Sequence, residues 1–360
     1  MQDNPCNSIT PRKTLKPKHW IWILIAITTS IIFIFNNTQH TINPSFYYWK
    51  TKFKLSEKEH QIMNDLASNE IFIRFFDIDW NQELNKAKPV GIISFNNQVQ
   101  PQLKVVPVIF ITNRVFSNIN THETNQLAKD MMELTRSLIT KNKLQVDELQ
   151  VDCDWSESTR NNYFIFLKKL SNELKHQNIK ISATIRLHQI KHYLRTGVPP
   201  VDRGMLMFYN MGNVKKETGT NSIFNTRDAA PYMESLKDYP LPLDVALPIF
   251  SWAVHIRDGK VIELLSNTYM EELNALQGVK ATASNRCQVT QPQYFRGSYL
   301  KQGDQLRLET VDKHLALEAA RLLSSHINKE SRRVVLFRLD SLTIDKYDKE
   351  DIHAIIDCFR

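Results

Sequence analysis

Apolar positions along this chain form two kinds of run: compact blocks of roughly four to eight residues, and longer stretches that repeat every three to four positions. The blocks read as strands and the periodic stretches as helices. Strands are expected to begin at Ile71, Val90, Val105, Leu149, Ile179, Met205, Val245 and Val334. Helical spacing covers 124–141 (Leu127, Met131, Leu134, Leu138) and 157–176, where Tyr163, Phe166, Leu167, Leu170 and Leu174 share a face. Shorter helices are expected at 56–66, capped by Ser56, and at 228–236 and 349–359, with a long one at 312–328. Most strands are followed by helices, and such alternation predicts a parallel sheet. Eight units over roughly 290 residues fit an irregular (β/α)8 TIM barrel, which lacks a helix between the strands at Val90 and Val105. An open, doubly wound sheet is the other fold the pattern allows. From 253 to 332 the pattern loosens into an insertion with a hairpin turn at Asp258-Gly259.

The stretch 146–157, VDELQVDCDWSE, concentrates the candidate chemistry. Side chains two apart on a strand share a face, so Gln150, Asp152 and Asp154 point one way and Leu149, Val151 and Cys153 the other. Neighbouring carboxylates repel and resist burial, and a fold keeps them at a strand end mainly where something uses them. In a barrel the site is the ring of strand C-terminal ends. Polar and aromatic residues fall there: Asp77 and Asp79, Asp152 and Asp154, Arg186 and His188, Tyr209 and Asn210, Ser251 and Trp252, Arg338 and Asp340. Strand starts are expected to carry nothing comparable.

Net charge is +8, but residues 1–54 hold seven Lys/Arg against Asp3. The remainder carries 39 basic residues against 37 acidic, so no nucleic-acid footprint is expected in the body. Residues 20–35, WIWILIAITTSIIFIF, are unbroken apolar, and no charge appears from Trp20 through Trp49. That length approaches the ~20 residues of a membrane span, with basic residues before it and Trp20 and Trp22 suited to an interface. No small-residue cleavage site follows. The expected layout is a cytoplasmic basic tail (1–19), a transmembrane anchor (20–37), a juxtamembrane segment with a short helix (38–69), and a barrel (70–360) carrying the insertion (253–332). The body is then periplasmic or otherwise extracytoplasmic, in a single-pass inner-membrane protein. Four cysteines, Cys6, Cys153, Cys287 and Cys358, are too few and scattered for a disulfide framework or zinc site, although a Cys287–Cys358 bridge is compatible with that compartment. No cofactor is expected.

With the strands numbered, two motifs carry a resemblance. The fourth strand ends Asp152-Cys153-Asp154-Trp155 and the sixth reads Met207-Phe208-Tyr209-Asn210. This resembles the chitinase-type glycoside hydrolases and related bacterial barrels, in which the fourth strand ends D-x-x-D-x-D-x-E and the sixth M-x-Y-D. The resemblance implies a glycosidase-like barrel that acts on or binds a carbohydrate. Together with the strand-end positions it makes Asp152, Asp154, Glu157 and Tyr209 the catalytic candidates, while Asp77, Asp79, Trp155, Arg186, Asn210, Trp252, Arg338 and Asp340, at or beside strand ends, are the candidate substrate contacts. Two departures stand out: Ser156 occupies the place of the glutamate, with Glu157 one position late, and Asn210 replaces the aspartate. The missing glutamate is the family's proton donor to the leaving oxygen.

Each of these residues also has a plainer reading. Asp154-x-x-Glu157 matches a capping box at the start of the following helix, whereas Asp152 has no such role. Arg186 and Arg338 would neutralise acids across the mouth. Trp80, Trp155, Tyr209 and Trp252 would offer apolar faces to sugar rings, or simply pack. Four aspartates with His188 or His192 would make a metal site, but no recognised ligand spacing supports one. The alternative to a glycosidase is a non-catalytic envelope barrel that binds glycan or protein.

Overall fold

The computed structural model describes residue 42 and residues 44–215, 220–327 and 332–360. Eight parallel strands close into a barrel: β1 (Ser45–Tyr48), β2 (Glu70–Asn81), β3 (Lys104–Ile111), β4 (Glu148–Asp152), β5 (Lys180–Arg186), β6 (Arg203–Met207), β7 (Leu243–Pro248) and β8 (Val334–Phe337). Closure is made by β1, which pairs with β8 (Ser45 opposite Val335) and with β2 (Phe46 opposite Ile71).

The ring differs from the expected eight strands at one place. The strand expected at Val90 is Lys86–Val90, which folds back antiparallel on β2, Asp77 opposite Val90, and stands outside the ring. Its place is taken by β1, which lies within the expected juxtamembrane segment. β1 has four residues, SFYY, all buried. The exchange leaves the later ordinals unchanged, so Glu148–Asp152 is the fourth barrel strand and Arg203–Met207 the sixth. No helix lies between β2 and β3, where the hairpin stands instead.

Helices form where caps and periodicity coincide. Glu57–Asp65 starts with a capping box in which Ser56 accepts from Glu59 N and the Glu59 carboxylate accepts from Ser56 N. Helix Arg160–Lys175 buries Tyr163, Phe166, Leu167, Leu170 and Leu174, as its spacing predicts. Its N-cap is Thr159 rather than Asp154, so the expected Asp154–Glu157 capping box does not form.

The insertion is a five-stranded antiparallel sheet built from Ser251–Arg257, Lys260–Ser266, Val279–Ala283, Arg286–Val289 and Gln305–Thr310. Asp258 (φ 49°) and Gly259 (φ 71°) make its first hairpin turn, the doubly left-handed geometry expected of Asp-Gly. A small core of Leu265, Leu273, Val279, Cys287, Val289, Leu300 and Leu306 stabilises it. Cys287 and Cys358 are free thiols. At its root, buried Glu309 accepts from Trp252 Nε1 (2.9 Å) and from the Ser222 backbone (3.1 Å), and pairs with Arg307 (2.9 Å). Helix Lys313–Ser324 then returns the chain to β8.

The strand starts are not bare. Arg333, just before β8, donates from Nη2 to Glu148 (2.9 Å) and to Asp244 (2.7 Å), and lies 3.4 Å from Glu70. Arg203 also pairs with Asp244 (2.7 Å), and Ser182 donates to Glu148 (2.6 Å). Above this layer Tyr47 Oη donates to Gln150 (2.5 Å), whose amide reaches Ser182 (3.2 Å). The lumen therefore has a charged floor, which corrects the expectation that strand starts carry nothing. Each charge flanks an apolar block in sequence, and only ring closure brings five of them together.

Among the described residues no helix is long and apolar enough to cross a membrane. The anchor expected at 20–37 and the tail at 1–19 lie outside the described residues.

Candidate functional site

β4 places Glu148, Gln150 and Asp152 on the lumen side in three successive layers: floor, middle and mouth. Thr184 of β5 donates to Asp152 Oδ1 (2.6 Å). Burial pushes the Asp152 carboxyl up to about 6, and the neighbouring Asp154 and Asp77 charges add to the rise, against Thr184 and Arg186. Tyr209, just beyond β6, sits close enough to feel Asp152, Asp154 and Arg186. Its ring stacks on Phe337 (centroids 5.1 Å apart) and its hydroxyl donates to Met207 Sδ (3.1 Å). Asp77, Asp152, Asp154, Arg186 and Tyr209 are thus brought together at one end of the barrel.

The carboxylates of the mouth are mostly neutralised in pairs. Arg74 grips Asp77 through Nε (2.6 Å) and Nη2 (2.5 Å). Asp79 accepts from Arg114 Nε (2.7 Å) and Thr112 (2.6 Å), and these bonds hold its carboxyl well below the usual carboxylate range. Arg186 grips Asp154 through Nε (2.7 Å) and Nη2 (3.2 Å). Asp340 pairs with Lys50 (3.0 Å) and caps the helix Ser341–Ile344. Two groups are left over among the described residues: Asp152 has no cationic partner and Arg338 no ion pair or hydrogen bond.

Several expected contacts fall elsewhere. Trp155 is 1% exposed, donates from Nε1 to Thr196 O (2.9 Å) and packs on Tyr163, so it offers no face to a ligand. Trp252 is buried and held at its edge by Glu309, and Trp80 is buried too. Glu157 lies in an exposed turn, turned away from the role of a lumen acid. Asn210 is exposed, with φ 55°. Ser156, at the place of the absent glutamate, belongs to a set of hydroxyl and amide groups with Ser158 (2.9 Å), Thr159 (3.2 Å) and Asn113 (3.4 Å). No carboxyl stands there. Among the described residues no group of three or more His, Cys, Asp or Glu is placed to hold a metal ion.

The aromatic faces that are partly open belong to residues outside the set expected from the sequence. Trp49, after β1, and Phe337, ending β8, have ring centroids 5.7 Å apart, and both lie near Tyr47. Phe337 also meets Tyr209 and Phe250. The signal for Trp49 is its place directly after an apolar block, SFYY, short enough to pass as membrane-flanking sequence.

No family model matches the chain, and no curated protein matches it by sequence. Its fold is shared with solved glycoside-hydrolase barrels. The Bacillus cereus spore cortex-lytic enzyme SleL superposes with a TM-score of 0.52 at 11% identity, over 89% of this chain and 74% of that one. The Bacillus megaterium SleL gives 0.51 at 11%, over 89% and 75%. The Ostrinia furnacalis Group IV chitinase gives 0.50 at 11%, over 88% and 99%. The chain is thus a glycoside-hydrolase-like TIM barrel in architecture, remotely similar to the chitinase type.

Proposed function

We propose that this chain binds a carbohydrate at the C-terminal mouth of its barrel and holds it without cleaving it. The observation that carries this reading is the rim at Ser156, where hydroxyl and amide groups stand in place of a carboxyl group able to protonate a leaving oxygen. Trp49 and Phe337 supply apolar faces for sugar rings, and Asp152, Arg186 and Tyr209 supply polar groups that fix orientation, the usual make-up of a ligand site. The likeness to a chitinase and to cortex-lytic enzymes, in fold alone, supports a sugar polymer as ligand. Residues 20–37 anchor the chain and the body lies outside the cytoplasm, a placement supported by the uncharged apolar run. Resistance of the chain to alkaline extraction from membranes tests the anchor, and its release as a soluble protein would overturn it.

Titration of the full chain with chitohexaose, a β-1,4 polymer of N-acetylglucosamine, tests the binding face. Trp49→Ala is expected to weaken affinity by about 10-fold, the effect of losing one stacking surface. Unchanged affinity would remove Trp49 from the site.

A second reading is favoured by Asp152 itself, whose carboxyl titrates near 6 and is half-protonated around that pH. In that reading Asp152 donates the proton to the leaving oxygen and Asp154 faces the cationic transition state. Turnover that vanishes in Asp152→Asn is its signature.

A further inference from the structure

Among the described residues four charged pairs around the mouth are complete, and the cation left over is Arg338. It follows β8 at the rim, in the seam between barrel and insertion. Its Nε is shut away from solvent and donates to nothing, while the rest of the side chain is partly open. The neighbouring carboxylate that would neutralise it, Asp340, is taken by Lys50 (3.0 Å) and by the backbone N–H of Leu342 (3.1 Å). Across the seam stands a second cation, Arg296, at the tip of the hairpin Gln293–Phe295 and Ser298–Leu300. Arg296 is fixed by Glu272 (2.6 Å) and by the face of Phe295. Burial lowers the Arg338 guanidinium below its ordinary value and Arg296 lowers it further, against Asp340 and Tyr269. The same hairpin carries an exposed aromatic pair, Tyr294 and Tyr299, with centroids 5.1 Å apart.

A part-buried guanidinium with no anion is costly unless a ligand supplies one. We infer that Arg338 is a subsite for a carboxylate borne by the glycan, and that the carbohydrate taken by this barrel is acidic rather than neutral. The inference rests on the glycan reading above and adds the charge of the sugar to it. The planar fork of an arginine suits a carboxylate, which it engages with two parallel hydrogen bonds.

The test compares two ligands that share a backbone: glycan strands alternating N-acetylglucosamine with N-acetylmuramic acid, stripped of peptide so that each lactyl group carries a free carboxylate, and the same strands with that carboxylate reduced to an alcohol. The full chain is expected to bind the acidic strands about 10-fold more tightly, as a charge-assisted bidentate contact does. Arg338→Gln is expected to bring the two affinities within about twofold, and Arg338→Lys to keep part of the preference. Circular dichroism of both variants establishes that they fold. Equal affinity of the wild-type chain for both strands, or a preference that survives Arg338→Gln, would overturn the carboxylate subsite while leaving the glycan reading standing. Binding of neither strand, nor of chitohexaose, would overturn both. If inorganic phosphate at millimolar concentration binds through Arg338 and leaves affinity for the acidic strands untouched, the site belongs to a free anion and the sugar assignment is wrong.

Discussion

Replacing Arg333 by methionine is expected to destabilise the barrel by about 3–5 kcal/mol, the cost of leaving the buried Glu148 carboxylate without its cation. Glu148 and Asp244 are 5% and 1% exposed; Glu148 has this guanidinium as its cation, Asp244 shares it with Arg203, and Glu70 lies at the edge. For a domain of this size the loss corresponds to about 10 °C in Tm. The deficit should shrink at acid pH. Carboxylates stripped of their partner have raised pKa values in the folded variant, which then binds more protons than the unfolded chain and gains stability as pH falls. Adding Glu148→Gln should return much of the loss, because the charge left stranded is gone. Thermal melts at pH 7.5 and pH 5 read both effects. A Tm unchanged by Arg333→Met would mean that the floor network contributes nothing net.

Asp152→Asn is expected to act in the opposite direction on stability and to weaken the site. Burial and Asp154 raise the folded carboxyl from 3.8 to about 6. A carboxyl raised on folding is favoured in its neutral form, so the folded state binds more protons than the unfolded state between those values. Stability therefore falls as pH rises through that window, and the full penalty is present above about pH 6. A rise of that size sets an upper bound of about 3 kcal/mol on the penalty, and solvent at the mouth reduces it to about 1–2 kcal/mol. The asparagine form should thus melt about 2–5 °C higher than the wild type at pH 7.5 and at the same temperature near pH 4. It keeps an oxygen for Thr184 and loses the charge. A stabilised variant with weakened ligand affinity is the pattern of a residue kept for function at the expense of stability. Equal melting temperatures at both pH values would place Asp152 in ordinary solvent-like surroundings.

The barrel is legible in the sequence because its later strands are apolar blocks followed by amphipathic helices, with parity that sets Asp152 inward and Cys153 outward. The first strand is not, since Ser45–Tyr48 has no alternation and follows an apolar run that absorbs it. Lys86–Val90 imitates a barrel strand because a hairpin partner and a ring strand have the same local pattern. Only the pairing partner tells them apart, and pairing is a long-range fact. The floor network is hidden for the same reason: Glu70, Glu148, Arg203, Asp244 and Arg333 each look like a polar flank until the ring brings them within hydrogen-bond reach. At the mouth, residue type points correctly to Asp152, Asp154, Arg186 and Tyr209 as neighbours. It fails for the tryptophans, because type alone does not separate Trp155, which packs inward on Tyr163, from Trp49, whose ring remains partly open beside Phe337.

The most direct measurement is titration of the full chain with chitohexaose, followed by an assay for new reducing ends, for the wild type and for Asp152→Asn side by side. A glycan-holding barrel gives binding by the wild type, weaker binding by Asp152→Asn and no reducing ends from either form. Reducing ends from the wild type that disappear in Asp152→Asn would contradict the non-cleaving account and make Asp152 the proton donor of a hydrolase. Absence of binding to both chitohexaose and acidic strands would contradict the carbohydrate assignment altogether.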